Sequence, residues 1–141
     1  MKKILVLNGP NLNLLGKREI NIYGEKSLTE IEDYTNTKLK SKQVELDWYQ
    51  SNHEGELVQK IQEFHNGSHD ALIINPAGYS HTSVAIYDAM KICTKPIIEV
   101  HLSNIFAREE FRQTLLTARA ASKIMSGLGK DAYYLAAISE L

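Results

Sequence analysis

The sequence is poor in several kinds of residue, and each shortage excludes a class of protein. A single cysteine, Cys93, cannot form an internal disulfide, and its apolar helical surroundings indicate a small buried side chain. Sixteen basic against seventeen acidic residues leave a net charge of −1, so no basic excess exists to bind a nucleic acid backbone. No apolar run approaches membrane-spanning length, and Met1–Lys3 leads into a strand rather than a signal sequence. We therefore expect a cytoplasmic protein.

Motifs for common cofactors are also missing or weak. The sequence contains no Walker A lysine motif. Gly127-Leu128-Gly129 with Ala132 matches a dinucleotide fingerprint, but the nine residues that follow leave no room for a second half-fold, so a turn is the better interpretation. The histidines lack the close spacing of metal ligands, which argues against a metal site: His53, His65, His69, His81 and His101.

Short apolar strands alternate with amphipathic helices along the whole chain. This alternation predicts a parallel sheet covered by helices on both faces. For 141 residues we expect one flavodoxin-like, doubly wound, three-layer α/β domain over residues 1–141, with strand order 2-1-3-4-5. The predicted strands are Ile4–Leu7, Val44–Tyr49, Ala71–Ile74, Ile97–Val100 and Lys123–Met125. The predicted helices begin at a Ser27 N-cap with Glu30 three residues on, and cover about Glu54–His65, Thr82–Cys93, Ala107–Ala118 and Asp131–Leu141.

Polar residues follow the strands that meet at the centre of this sheet. Asn8 and Asn11 follow the first strand, Asn75 the third, and His101 ends the fourth. The strand order places the ligand crevice at these carboxyl ends, where the winding reverses. The sequence therefore predicts one cleft there.

The loop after the first strand is long for a strand-to-helix connection, and no helical pattern resumes until Ser27. It carries Arg18 and Tyr23, so we interpret residues of about 17–25 as a mobile lid rather than a plain surface excursion. A loop tyrosine is usually a packing residue. An arginine within hydrogen-bonding range, however, lowers the pKa of an acid by about 1–3, which could bring a phenol into the range of a base.

In the fourth strand the period of two puts Glu99 and His101 on one face. A buried glutamate is costly unless it is paired, and its carboxylate can hold one imidazole nitrogen while the other donates a proton outward. The alternative is that Glu99 pairs with an arginine and His101 is an ordinary strand-end residue.

Cations and a helix start follow this strand. Leu102-Ser103-Asn104 would open the fourth helix, whose free N–H groups favour an anion. Arg108 and Arg112 would share one face of that helix, although pairing with Glu109 and Glu110 on a solvated surface is an equally simple interpretation. His81, taken alone, would more often be a capping-region residue before Thr82 or Ser83.

Together these residues resemble the type II 3-dehydroquinate dehydratase family over essentially the whole chain. The motifs that carry the resemblance are NGPNLNLLGKREINIYG, SNHEGELV, NPAGYSHTSVAIYDAM and IEVHLSNIFAREEFR. The resemblance implies a flavodoxin-like fold, a homododecamer and no cofactor or metal. It also implies dehydration of 3-dehydroquinate to 3-dehydroshikimate through an enolate, in the shikimate pathway or in quinate breakdown.

The resemblance also implies a role for each matching residue. Tyr23 corresponds to the base at C2, supported by Arg18, and His101, oriented by Glu99, to the acid that protonates the departing C1 hydroxyl. Asn11 would position a water beside the enolate oxygen. The remaining correspondences concern binding: Asn75 with the backbone of Leu102 and Ser103 for the substrate carboxylate, His81 and Arg112 for ring hydroxyls, Arg108 for the closed lid, and Asp88 for the site of an adjacent subunit.

Two further features bear on this resemblance. The segment 84–90 is apolar nearly all round, so its helix is expected to be covered on more than one side, as in an oligomer. Four positions depart from the usual family pattern without removing a catalytic group: Ile20 for Pro, Ala77-Gly78 for Gly-Ala, Phe106 for His, and Ala132 for Gly.

Two other functions fit a flavodoxin-like pattern. One is a different lyase or isomerase that acts on a small carboxylate with the same anion site. The other is a binding or signalling module, which would need a phosphate-cradling first loop or an acidic cluster after the first strand. Asn8-Gly9-Pro10-Asn11 supplies neither.

Overall fold

The sheet is parallel and has the predicted strand order. A computed structural model describes residues 1–17 and 19–141, and within them five strands pair in the order β2-β1-β3-β4-β5. The strands are β1 (Lys2–Asn8), β2 (Val44–Gln50), β3 (Ala71–Asn75), β4 (Ile97–His101) and β5 (Lys123–Ser126). The flavodoxin-like prediction is therefore confirmed, and the chain reverses its winding between β1 and β3.

The α-helices of the described residues lie between and after these strands. They are α1 (Ile20–Tyr23), α2 (Leu28–Lys38), α3 (Glu54–Asn66), α4 (Val84–Ile92) and α5 (Ala132–Ile138). The predicted start of α2 is confirmed as a capping box. The Ser27 N–H donates to Glu30 Oε1 and the Glu30 N–H donates to Ser27 Oγ, both at 3.1 Å. None of the helices described is long and apolar enough to cross a membrane.

Hydrophobic cores cover both faces of the sheet, because successive side chains of a strand point to opposite faces. Along β1, Ile4 and Val6 enter one core while Leu5 and Leu7 enter the other. Helices α2 and α5 pack on the first face, through Ile31, Leu39, Ala132, Tyr133, Ala136 and Ala137. Helices α3 and α4 pack on the second, through Leu57, Ile61, Phe64, Ile86, Ala89 and Met90. This is the predicted three-layer arrangement.

The predicted fourth helix is wrong. Instead of a helix over residues 107–118, the connection from β4 to β5 forms three short 3₁₀ helices, Ile105–Ala107, Glu110–Gln113 and Thr117–Ala120. The physical reason lies in where its backbone groups bond. The Leu116 N–H donates to the Ser80 carbonyl at 2.8 Å, and the Thr114 carbonyl accepts from His81 at 2.9 Å. These tertiary hydrogen bonds replace the i to i−4 bonds of an α-helix.

The opening loop is more regular than predicted. A 3₁₀ helix spans Leu12–Leu14, and α1 forms a single turn before the start of α2. The side chains of Leu12 and Leu15 are buried in the first core and hold the loop against the sheet. Arg18 lies outside the described residues, so its predicted place beside Tyr23 stays a prediction.

The ends of β1 and β3 approach each other closely at Gly9. The Gly9 N–H donates to the Asn75 carbonyl at 2.8 Å. A Cβ at Gly9 would lie 2.5 Å from the Pro76 carbonyl oxygen, which is inside any real contact distance. The absence of a side chain at Gly9 therefore permits the backbone geometry that places Asn75.

We expect Gly9→Ala to lower the free energy of unfolding by about 1–3 kcal/mol, the usual cost of forcing atoms into a packed site. The measurement is urea unfolding followed by circular dichroism. Gly55→Ala is the matched control, because a Cβ there meets nothing within 4 Å and alanine favours the helix interior. Equal stability of the two variants would show that the β1–β3 contact tolerates a side chain.

Candidate active site

A pocket opens at the carboxyl ends of β1, β3 and β4, where the strand order predicted a cleft. Apolar side chains and a few polar groups line it together, as is usual for a small-molecule site. Of the predicted site residues, those that line it are Asn11, Tyr23, Asn75, His81, His101, Leu102, Ser103, Arg108 and Arg112. Glu99 lies behind His101, and Asp88 does not reach this pocket.

Glu99 and His101 form the predicted pair. His101 Nε2 lies 2.7 Å from Glu99 Oε2, and the two side chains are 6% and 0% exposed. Within the described part of the chain the ion pair of Glu99 is with His101 and not with an arginine. Since Nε2 faces the carboxylate, Nδ1 is the nitrogen left for a ligand in the pocket that His101 lines.

Two buried hydroxyl groups complete the surroundings of Glu99, and the sequence interpretation missed both. Ser80 Oγ donates to Oε2 at 2.8 Å, and Thr117 Oγ1 donates to Oε1 at 2.5 Å. Both residues are 0% exposed. A buried carboxylate needs such donors. The buried glutamate itself was therefore a signal to look for them, although their positions could not be read from spacing.

His81 faces the pocket instead of capping a helix. Ser83 is the N-cap of α4, and its side chain accepts from the Ile86 N–H at 2.9 Å. Burial lowers the pKa of His81, and the hydrogen bond to the Thr114 carbonyl opposes this only partly. Because a carbonyl only accepts, His81 Nδ1 carries the hydrogen and donates over 2.9 Å. In the neutral ring Nε2 is then an acceptor.

Tyr23 is contacted by an arginine that the sequence interpretation did not assign to it. Arg108 Nη1 donates to the Tyr23 hydroxyl oxygen at 2.6 Å, and the guanidinium carbon lies 5.0 Å from the ring centroid. The Arg108 side chain is 9% exposed. The guanidinium of Arg108 therefore contacts both the hydroxyl and the ring of Tyr23.

Arg108 and Arg112 reach the pocket, but not from one helix face as predicted. Arg108 follows the first 3₁₀ helix of the β4–β5 connection, and Arg112 lies in the second. Both also contact Glu109, with N–O distances of 3.6 and 3.1 Å respectively. Arg108 and Arg112 therefore both pair with a glutamate and line the pocket, so the two alternatives considered for them are true at once.

The pocket wall at the end of β4 has a fixed backbone. The Leu102 carbonyl accepts from the Gly129 N–H, and the Ser103 carbonyl accepts from Ser126 Oγ, both at 3.0 Å. Asn104 caps the 3₁₀ helix that follows, so the predicted helix start is present but opens only a three-residue helix.

Asn75 is held by a network that links three elements. Tyr133 of α5 is fully buried, donates from its hydroxyl to Asn8 Oδ1 at 2.5 Å and accepts from Asn75 Nδ2 at 3.2 Å. Asn75 Oδ1 accepts from the Ala77 N–H at 3.2 Å. These bonds fix which end of the Asn75 amide is nitrogen and leave its second N–H for the pocket. Burial raises the pKa of Tyr133, so its hydroxyl stays protonated.

Two predicted residues lie at the margins. Asn11 is exposed at the pocket edge in the left-handed region, with φ of 70°, and its N–H donates to Asn52 Oδ1 at 3.0 Å. Asp88 is exposed on α4, on the same face as Val84 and Ile92, whose side chains are each 58% exposed. The described subunit therefore leaves this helix face uncovered.

We expect Tyr133→Phe to lower the free energy of unfolding by about 1–3 kcal/mol, because it leaves Asn8 Oδ1 and Asn75 Nδ2 buried without a partner. Tyr134→Phe, at the next position on α5 and only half-buried, should change stability by less than about 0.5 kcal/mol. Urea unfolding of both variants measures the two changes in the free energy of unfolding. Two coincident curves would mean that the Tyr133 hydroxyl does not stabilise the site.

Known proteins are similar to this chain over most of its length. A family model described as dehydroquinase class II matches residues 2–140. The 3-dehydroquinate dehydratase of Aliarcobacter butzleri is 49% identical over 137 residues, which cover 97% of this chain and 83% of that protein. The one from Clostridium botulinum strain Hall is 48% identical over 136 residues, with 96% and 92% covered.

Solved structures agree with these relatives. The crystal structure of type II dehydroquinase from Butyrivibrio crossotus superimposes with a TM-score of 0.93 at 44% identity, over 99% of this chain and 96% of that one. That of Propionibacterium acnes gives a TM-score of 0.94 at 36% identity, with the same coverage. The chain therefore belongs to the class II dehydroquinase family.

Proposed function

We propose that this chain is a type II 3-dehydroquinate dehydratase. It removes water from 3-dehydroquinate by anti elimination, without a cofactor, and releases 3-dehydroshikimate for the shikimate pathway. The observation that carries the proposal is that a tyrosine with a guanidinium on its hydroxyl and a histidine backed by a buried carboxylate line one pocket. An elimination needs such a base and such an acid.

The base in this proposal is Tyr23. Its phenolate takes a proton from C2, and the electron pair moves into the adjacent carbonyl to give an enolate. The guanidinium of Arg108 donates to the hydroxyl oxygen of Tyr23 at 2.6 Å. Arg18, which lies outside the described residues, keeps the supporting role that the family resemblance implies for it. Asn11 at the pocket edge positions a water beside the enolate oxygen.

The acid is His101. In the second step the enolate electrons re-form the carbonyl and expel the C1 hydroxyl, which takes a proton from the imidazolium at Nδ1. Glu99 stabilises that imidazolium from Nε2, at 2.7 Å. A carboxylate behind the ring also prevents the ring from turning its protonated nitrogen away from the substrate.

Substrate binding uses the remaining pocket groups. The free N–H of Asn75 and the backbone at Leu102 and Ser103 receive the substrate carboxylate. Neutral His81 accepts from a ring hydroxyl at Nε2, and Arg112 donates to another. Arg108 fixes the closed lid by holding Tyr23.

The test is the rise in ultraviolet absorbance of the conjugated enone when 3-dehydroquinate is added. If the protein is a different lyase or isomerase, the absorbance should not rise with this substrate, and another small carboxylate should be turned over. If it is a binding or signalling module, no turnover should occur. A folded protein without an absorbance rise would contradict the proposal. Unchanged activity in the presence of a chelator is expected, because no proposed step uses a metal.

We expect Tyr23→Phe to lower kcat by about 10²–10⁴, the usual contribution of a positioned general base, with little change in KM. Tyr134→Phe is the matched control and should keep normal turnover. Combining Tyr23→Phe with Arg108→Ala should cost less than the sum of the single losses, because Arg108 acts through the phenol. Steady-state kinetics are measured for the unaltered protein, Tyr23→Phe, Arg108→Ala, the double variant and the Tyr134→Phe control.

A raised KM with normal kcat in Tyr23→Phe would instead make the tyrosine a binding residue. His81, which lines the same pocket, would then be the next candidate for the base.

Asp88 belongs, in this proposal, to the site of an adjacent subunit in a homododecamer. The exposed apolar residues around it on α4 support a subunit contact there. Light scattering should therefore give a mass far above the 15.9 kDa of one chain.

A complementation experiment tests the shared site directly. Asp88→Ala and Tyr23→Phe should each impair turnover, whereas co-expressed mixed oligomers should regain activity, because some sites combine an intact Tyr23 with an intact Asp88 from the neighbour. Mixed oligomers of Tyr23→Phe and His101→Ala are the control. These two residues line one pocket of one chain, so no intact site can form and activity should not return. Full activity from a verified monomer would contradict the shared site.

A further inference from the structure

The carboxylate of Glu99 has an unusual environment for a charged group. It is 0% exposed, and the cation paired with it within the described residues is His101, which changes its own charge when it gives up a proton. A buried carboxylate needs hydrogen-bond donors for both of its oxygens. Donors other than His101 must therefore satisfy part of the Glu99 carboxylate.

We propose that Thr117 is a positioning residue for proton donation, which holds the Glu99 carboxylate in one orientation behind His101. The inference rests on the proposed function, in which His101 is the acid. It adds a residue for which the sequence pattern offered no role.

The two oxygens of the Glu99 carboxylate accept from different donors, and this difference supports the inference. Oε2 is shared by His101 Nε2 at 2.7 Å and Ser80 Oγ at 2.8 Å. Oε1 accepts from Thr117 Oγ1 at 2.5 Å. Among the described residues, Thr117 is the only hydrogen-bond donor to Oε1, so its hydroxyl alone holds this oxygen of the carboxylate.

The position of Thr117 in the β4–β5 connection also supports the inference. Thr117 begins the third 3₁₀ helix of the β4–β5 connection and is itself 0% exposed. The preceding residue, Leu116, is tied to the Ser80 carbonyl at 2.8 Å, and Thr117 Oγ1 lies 3.3 Å from Ser80 Oγ. The segment that carries Arg112 into the pocket thus also places the Thr117 hydroxyl against Glu99, and Ser80 holds it there.

Loss of the Thr117 hydroxyl would weaken the support of His101. Without that hydroxyl, Oε1 is a buried acceptor with no donor, so the carboxylate can turn and no longer fixes the ring through Nε2. Nδ1 is then poorly aligned with the departing hydroxyl, and proton donation slows. Substrate contacts are untouched, so the loss falls on the elimination step and not on binding.

Thr117→Val removes the hydroxyl and keeps the shape. We expect kcat to fall about ten- to a hundredfold, the effect of one unsatisfied buried acceptor, with KM little changed. The solvent deuterium isotope effect on kcat should increase, because proton donation becomes more rate-limiting. Thr117→Ser restores the hydroxyl and should recover most of the turnover. Thr35→Val is the matched control, since Thr35 is also 0% exposed and its hydroxyl donates to the Ile31 carbonyl at 2.7 Å.

Circular dichroism and urea unfolding accompany every variant, and Thr117→Ala replaces Thr117→Val if the latter does not fold. A fall in kcat with an unchanged isotope effect would mean that fewer molecules are active, and would overturn the inference. So would a loss no larger than that of Thr35→Val, or no recovery in Thr117→Ser.

The His101→Ala variant separates this inference from the proposed function on which it rests. If His101→Ala abolishes turnover while Thr117→Val keeps the kcat of the unaltered protein, only the role of Thr117 is wrong. If His101→Ala keeps normal turnover, His101 is not the acid and both proposals fail.

Discussion

A carboxylate without access to water is the constraint that shapes one side of the pocket. Glu99 receives donors from three separate elements: His101 from its own strand, Ser80 from the segment after β3, and Thr117 from the connection after β4. Each donor must reach within about 3 Å of a group in the centre of the sheet. The two connections are therefore drawn together, and His81 and Arg112, which they carry, come to face the same space.

A second polar network shapes the opposite side. Tyr133 reaches from α5 to the ends of β1 and β3, where Asn8 and Asn75 are register partners. Both networks place hydrogen-bonded groups inside the apolar cores at the carboxyl ends of the strands. Each hydrogen bond of these networks restricts the orientation of the side chains that it joins, although Asn8 Nδ2 is buried without a partner among the described residues. The bonds to Asn75 and His101 thus fix two side chains that line the pocket, and binding and catalysis both depend on such positioning.

The sequence predicted the features that depend on local pattern. Strand order, the Ser27 capping box and the common face of Glu99 and His101 all follow from periodicity and neighbours along the chain. The connection after β4 could not be predicted in this way, because its residues favour a helix while its backbone bonds to Ser80 and His81. The contact of Arg108 with Tyr23 joins residues 85 positions apart, which no local pattern encodes.

The uncovered face of α4 carries a carboxylate between two exposed aliphatic side chains. Val84, Asp88 and Ile92 recur every four residues, so they lie on one face of the helix. A partner that covers the two exposed aliphatic side chains must also remove Asp88 from water. That carboxylate would then need a cation or several donors at the contact, as any buried charge does. Arg108 and Arg112 are cations at the pocket, and each is held by Glu109 at 3.1 Å or more. An arrangement that brings Asp88 to such a pocket would satisfy the buried carboxylate and complete the site in a single contact, so association and turnover would rise and fall together.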